Sequence, residues 1–317
     1  MSWYSDWTKT FTDPRLCAAI VDRLTFGGNL IQAGSDSYSL AQGRAAAQDT
    51  TGQGRVDRRR SRDSAVGRSA GRHISACQDG RMGKNTAVRR LDLGYFIRPA
   101  SETGGPQPRV EPVLAYLVQH EQGLILFDTG IGSADSETEA HYRPQRRALQ
   151  EALSAAGVTL GDISLVVNCH LHFDHCGGNP LLGGKPILVQ EVELATARRG
   201  NYTIDELVDF PGAAYEELAG ETEIWPGVWI IPTPGHTPGH QSLVLRQGDG
   251  TVILAGQAHD FASQFASDQL ARQAALHGVE QPLPNYAHWV ERLADFDPRR
   301  VLFAHDCSIW EPSHSNL

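Results

Sequence analysis

Asn168-Cys169-His170-Leu171-His172-Phe173-Asp174-His175-Cys176-Gly177-Gly178-Asn179 is the stretch from which the rest of the chain can be read. It holds the pattern His-x-His-x-Asp-His, so four potential metal ligands fall within six residues. Residues two apart in an extended segment point to the same side, and His170 and His172 can therefore share one ion. The turn that follows can aim Asp174 and His175 at a nearby point. Imidazole combined with carboxylate suits zinc, and also iron, manganese or cobalt. A lone histidine is more often structural, but three with an aspartate at this spacing read as a metal site.

Further donors stand after later apolar runs. Thr233-Pro234-Gly235-His236-Thr237-Pro238-Gly239-His240 follows the run 228–231, and its two Pro-Gly pairs make a rigid turn able to hold an imidazole in place. Val301-Leu302-Phe303-Ala304-His305-Asp306 puts another histidine immediately beyond a strand-like run. Side chains at strand ends, gathered on one rim of a sheet, are where α/β sites are usually built.

The sequence around these motifs has the texture of a layered fold. Strand-like runs are expected at 88–97, 113–118, 123–127, 164–168, 186–189, 228–232, 242–246, 251–254 and 300–303, each bounded by Gly, Pro, Asp or Asn. Leu149, Ala152, Leu153 and Ala156 recur at helical spacing within 146–156, and Gly157 sits where a C-cap would. Tyr286, Trp289, Val290 and Leu293 repeat the pattern within 285–294. Hairpins first and strand–helix alternation afterwards predict an α/β domain with helices packed outside sheets, of about 230 residues.

Taken in order, the stretch 124–132, the His170–His175 motif, the His236 turn, the strand end at Gly256 and His305 resemble the metallo-β-lactamase superfamily. His-Leu-His-Phe-Asp-His followed by Gly-Gly-Asn is most similar to its N-acyl homoserine lactonase-like branch. The likeness covers about residues 88–312 and implies a four-layered αββα sandwich with metals in a shallow cleft along one edge. It assigns His170, His172 and His236 to a first metal, and Asp174, His175 and His305 to a second. Asp128, in Phe127-Asp128-Thr129-Gly130, matches an aspartate that orients ligands by hydrogen bonding. One or two zinc ions per chain are implied, with a metal-bound hydroxide that opens a lactone or other ester-like bond. A thioester, β-lactam or phosphodiester hydrolase of the same superfamily is the alternative, and a metal-binding scaffold with little activity is a third reading.

The sequence departs from that pattern at one place. The family puts a bridging aspartate after a strand in a Gly-Asp-Ala context, whereas this chain reads Ala255-Gly256-Gln257-Ala258-His259-Asp260. Gln257 therefore stands at a metal-ligand position with a neutral carbonyl oxygen and no charge. Dications roughly 3.5–4 Å apart repel strongly, so losing the anion between them should weaken at least one. Asp260 or His259 either reaches back as a substitute or lies on a surface loop. The tyrosine that lactonase-like members often carry just after the bridging aspartate is missing, its place falling near Asp260. Gln257 cannot titrate, which leaves Asp174, Asp260 or water to protonate the leaving oxygen. Cys169, Cys176 and Cys307 flank ligands and read as small buried hydrophobes, and His240 reads as structural. Residues 191–226 are expected to form a helical or irregular flap, with Tyr202, Phe210 and Trp225 in the core or against an acyl chain.

Charge divides the chain unevenly. Residues 1–90 hold 15 Lys and Arg against 8 Asp and Glu, a net +7, while the remainder holds 13 against 29, a net −16. From 41 to 90 the composition is Gly, Ser, Arg, Gln and Asp without helical or strand periodicity, too little apolar surface to offset chain entropy. Residues 1–87 are expected to be a basic, mostly disordered extension with one short helix at 14–24, and residues 88–317 the hydrolase domain. Without aromatic interleaving the basic tract reads as a solvated tail rather than a nucleic-acid binder. No run of about 18 apolar residues predicts a membrane span. Five cysteines among 317 residues form no disulfide framework, and a cytoplasmic protein with a small-molecule substrate is expected. Nothing in the sequence indicates an oligomeric state.

Overall fold

The computed structural model describes residues 86–200, 202–280 and 285–312. The expected helix at 14–24 and the loose extension through residue 85 lie outside the described residues. Strands β1 (Ala87–Arg98), β2 (Arg109–His120) and β3 (Gly123–Phe127) form an antiparallel meander, with the two-residue β4 (Gln145–Arg146) on its outer edge. Beyond β3 the sheet continues in parallel through β5 (Ile163–Val167), β6 (Pro186–Gln190) and β7 (Ala214–Leu218). The seven strands run in the order β4-β1-β2-β3-β5-β6-β7.

A second sheet holds β8 (Thr222–Trp225), β9 (Val228–Pro232), β10 (Gln241–Gln247), β11 (Gly250–Leu254) and β12 (Pro298–Leu302), in the order β12-β11-β10-β9-β8. The helices among the described residues are α1 (Ala100–Thr103), α2 (Ser136–Tyr142), α3 (Leu149–Ala155), α4 (Glu191–Ala197), α5 (Asp205–Val208), α6 (Ala262–Leu276) and α7 (Trp289–Ala294).

Side-chain alternation explains how these elements stack. Tyr116, Ile125, Phe127 and Val167 of the first sheet meet Ile230, Leu243 and Leu254 of the second in one buried cluster. The alternate residues Leu126, Val166 and Val189 point outward against Leu153 of α3, Leu194 of α4 and Leu207 of α5. On the far side, Val244 and Ile253 pack against Phe265 of α6 and Leu293 of α7. The result is a helix–sheet–sheet–helix sandwich, the αββα architecture that the resemblance implied. Each fully buried side chain of this kind contributes about 1.5–3 kcal/mol. Hydrogen bonds also cross between the sheets: Tyr116 Oη donates to the Phe303 carbonyl at 2.7 Å and the Leu114 amide to that of Ala304 at 2.9 Å.

Some expectations need correction. Residues 191–226 are a flap only in part: residues between Gly200 and Leu207, with α5, line the cleft, while the segment also contains α4 and the edge strands β7 and β8. The strand β7, Ala-Tyr-Glu-Glu-Leu, keeps its two glutamates exposed, a sequence only a sheet edge tolerates. The expected helix at 146–156 begins at Leu149 because Arg146 pairs with Gly94, while Gly157 does take the left-handed conformation of a C-cap, with φ +76°. The helix within 285–294 begins at Trp289.

Candidate metal centre

Each donor side chain stands just beyond a strand. His170 to His175 follow β5, His236 follows β9, Gln257 follows β11 and His305 follows β12. The first and second sheets thus each deliver part of one cluster. His172 Nδ1 lies 2.9 Å from His170 Nε2 and 3.1 Å from His236 Nε2. Beside this trio, His175 Nε2 lies 3.1 Å from His305 Nε2, and Asp174 Oδ2 is 3.3 Å from each. The two groups adjoin, since the His170 and His175 rings are 4.1 Å apart at their centroids.

The chemistry of these donors fits a cation. Burial lowers His170 well below the usual imidazole range, and burial, partly offset by Asp174, brings His172 down to about 4. The trio is therefore a set of neutral rings whose nitrogens converge, and a Lewis-acidic ion satisfies all three at once. In the second group His305 Nδ1 donates to the Pro112 carbonyl at 2.8 Å, which turns its Nε2 inward. Burial opposes charge on both His175 and Asp174. Nevertheless Cys169, Asp174 and Asp128 hold His175 well above its ordinary value, and the His175 and His305 rings hold the Asp174 carboxyl well below its own. Positive charge is favoured at that point, and a dication would displace the proton there.

A ring of supporting contacts fixes the donors. Asp128 adopts a left-handed backbone, φ +62°, tolerated by Asp more readily than by most side chains. From there its carboxylate accepts from the Cys169 amide at 2.8 Å and from His175 Nδ1 at 3.1 Å. Glu193, on α4 and buried, accepts from the Leu171 amide and the Thr237 hydroxyl, each at 2.8 Å, and from the Tyr202 hydroxyl. The Tyr202 ring in turn lies 4.6 Å from that of His172. Neither Glu193 nor the contact of Tyr202 with His172 was anticipated from the sequence. A single glutamate has no local signature, and only the fold brings it beside Leu171 and Thr237.

The remaining candidates separate clearly. Gln257 is buried, with Oε1 3.3 Å from His175 Nε2, while its Nε2 donates to Asp260 at 3.1 Å. Asp260 belongs to neither donor group and pairs with Arg109 at 3.1 Å. His259 turns away to Asp268, 2.8 Å distant, and packs on Phe265 and Trp289. His240 is buried between Thr233 Oγ1 and the Gln257 amide. Cys169 and Cys176 are buried, and burial pushes the Cys169 thiol up to about 12, but Cys307 is exposed, contrary to expectation, on the loop after β12. Phe210 is core and Trp225 stacks on His120, so of the three aromatics only Tyr202 faces the cleft. That cleft, about 1260 Å³, has His172, Asp174, His236 and Gln257 among its lining residues.

Residues 108–305 match the family described as the metallo-beta-lactamase superfamily. The chain belongs to that superfamily. Among curated superfamily relatives, an N-acyl homoserine lactonase of a Bacillus species is 30% identical over 207 residues, covering 57% of this chain and 82% of the relative. The N-acyl homoserine lactonase AiiB of Agrobacterium fabrum (strain C58 / ATCC 33970) is 30% identical over 252 residues, covering 68% and 90%. A solved structure of an N-acyl homoserine lactone hydrolase, with the product N-hexanoyl-L-homoserine bound at its catalytic metal centre, aligns with a TM-score of 0.58 at 25% identity. That alignment covers 71% of this chain and 95% of the other. No described helix is long and apolar enough to cross a membrane.

Proposed function

We propose that this chain is a metal-dependent hydrolase that opens a lactone or similar ester-like bond. Zinc would be held by His170, His172 and His236 and by Asp174, His175 and His305. The observation that carries this reading is the pair of adjoining donor groups, of which His172, Asp174 and His236 line one cleft. The relatives named as N-acyl homoserine lactonases support it. When bound, zinc supplies Lewis acidity towards a carbonyl oxygen and activation of water.

The protein's own groups do the rest. Asp128 and the Pro112 carbonyl hold His175 and His305 in the tautomers that present Nε2. Asp174 Oδ2 faces those two rings, and its other oxygen would take the proton that the attacking water gives up and pass it to the leaving oxygen. Gln257 has no titratable proton and cannot share that task. Phe96, Tyr142, Phe173, Ile204 and Leu207 give the cleft walls suited to an acyl group. Glu102, Asp135 and Glu206 line the same cleft with carboxylates. Arg98 and Asp205 line it as well, so the cleft presents both signs of charge beside the cations it would hold.

The test is hydrolysis of N-acyl homoserine lactones and acyl thioesters by zinc-reconstituted protein, followed by acid release. The substitution His172→Ala should lower kcat/KM by more than the roughly 10–100-fold loss typical when a group behind a ligand is removed. Equal rates for the two proteins would leave a metal-binding scaffold.

A further inference from the structure

Gln257 ends a chain of alternating charges that begins at Arg98 and Glu111. Glu111, fully buried on β2, accepts from Arg98 Nε at 2.8 Å and from Arg109 Nε at 2.7 Å. Arg109 continues to Asp260 Oδ2 at 3.1 Å, with its guanidinium over the Phe261 ring at 4.4 Å. Asp260 Oδ1 then takes the Gln257 amide nitrogen at 3.1 Å. A carboxylate only accepts hydrogen bonds, so Asp260 decides which way the amide faces: nitrogen towards itself, oxygen towards His175. Because both carboxylate oxygens are engaged, Asp260 does not swing inward to replace the missing anion. The backbone amide of Gln257, held by His240 Nε2 at 3.0 Å, fixes the other end of the residue.

This arrangement leaves Asp174 as the one carboxylate among the atoms that converge on the two donor groups. The trio of His170, His172 and His236 offers imidazole nitrogens only, and the side chain that touches both His170 and His175 is the Cys169 thiol, not a carboxylate. A first dication therefore gains most at Asp174, His175 and His305, where the Gln257 oxygen also points. A second, placed beside it, meets the first with little compensation.

We propose that Asp260 is a positioning residue acting through Gln257, and that the centre binds one divalent cation strongly at Asp174, His175 and His305 and a second weakly at the three-histidine group. This rests on the reading of both groups as cation sites, and it is tested without substrate. Metal-free protein is titrated with zinc against a chromophoric chelator. The wild type should show two steps separated by at least tenfold in affinity. Gln257→Asp supplies the anion and should bring the steps together. Asp260→Ala should weaken the first step about tenfold, and the same change in a Gln257→Ala background should have no further effect. Thermal unfolding of each metal-free variant shows that the fold is retained.

Two equal steps in the wild type overturn the proposal, as does an Asp260→Ala effect that persists without Gln257. A weakened first step in His172→Ala protein with an unchanged second step would reverse the order of loading and also overturn it. No zinc binding by the wild type would instead remove the hydrolase reading on which it rests.

Discussion

Glu193 places one buried carboxylate against three groups that surround the histidine trio: the Leu171 amide, the Thr237 hydroxyl and the Tyr202 hydroxyl. Leu171 lies between His170 and His172, and Thr237 follows His236. One side chain thus ties together both loops that carry the trio. Glutamine is nearly the same size, but its amide nitrogen donates where a carboxylate oxygen accepts, so Glu193→Gln must reverse or break at least one of these contacts. The expected outcome is a loss of roughly 10–100-fold in zinc affinity at the trio, read by chelator competition, with the other donor group little changed. His170, His172, Asp174 and His175 were legible because four donors within six residues are rare by chance. Glu193 and Arg98 were not, since each stands alone in its local sequence and acquires meaning only from remote partners.

Strand ends are the elements that deliver the donors, and their glycines set the aim. Gly256, between β11 and Gln257, has φ +58°, and a Cβ there would lie 2.4 Å from Cys169 Cβ and 2.9 Å from its sulfur. Gly256→Ala should cost about 1–2 kcal/mol for the left-handed backbone alone. The clash adds to that, so a fall in the denaturant midpoint accompanied by weaker zinc binding is expected. A variant as stable as the wild type would show that the loop has room to shift.

Elements differed in how readable they were. Strands such as β9 and β11 are short runs rich in Val and Ile and bounded by Gly or Pro, and their positions follow from composition. The longest described helix, α6, was missed because its buried face is Ala262, Phe265, Gln269 and Ala271. Alanine and glutamine give almost no hydrophobic contrast, so the helical period is faint. The strands β7 and β8 were hidden for a related reason, as edge strands that keep polar residues on both faces.

Across the whole molecule the centre is a junction between two sheets. The first contributes His170, His172, Asp174 and His175, and the second contributes His236, Gln257 and His305. An ion bound there links strands that are otherwise joined by apolar packing and a few hydrogen bonds, among them that of Tyr116 to Phe303. Free zinc at 100 times its dissociation constant stabilises the folded state by roughly 2.7 kcal/mol. Chelation should therefore lower the Tm, by roughly 2–4 °C for each kcal/mol lost in a domain of this size. His172→Ala protein should show a smaller shift. An unchanged Tm on chelation would mean that the sheets hold together without any contribution from the donors.

Local spacing made the candidate donors and the α/β class legible, and the resemblance to a family supplied the four layers, because periodicity and turn chemistry act over a few residues. Tertiary structure alone decided that Gln257 faces His175, that Asp260 faces Gln257 and Arg109, and that Glu193 binds two loops at once. Those contacts join residues between 3 and 151 positions apart, and their geometry depends on how two sheets pack. Packing is a property of the whole chain, and no short stretch of sequence carries it.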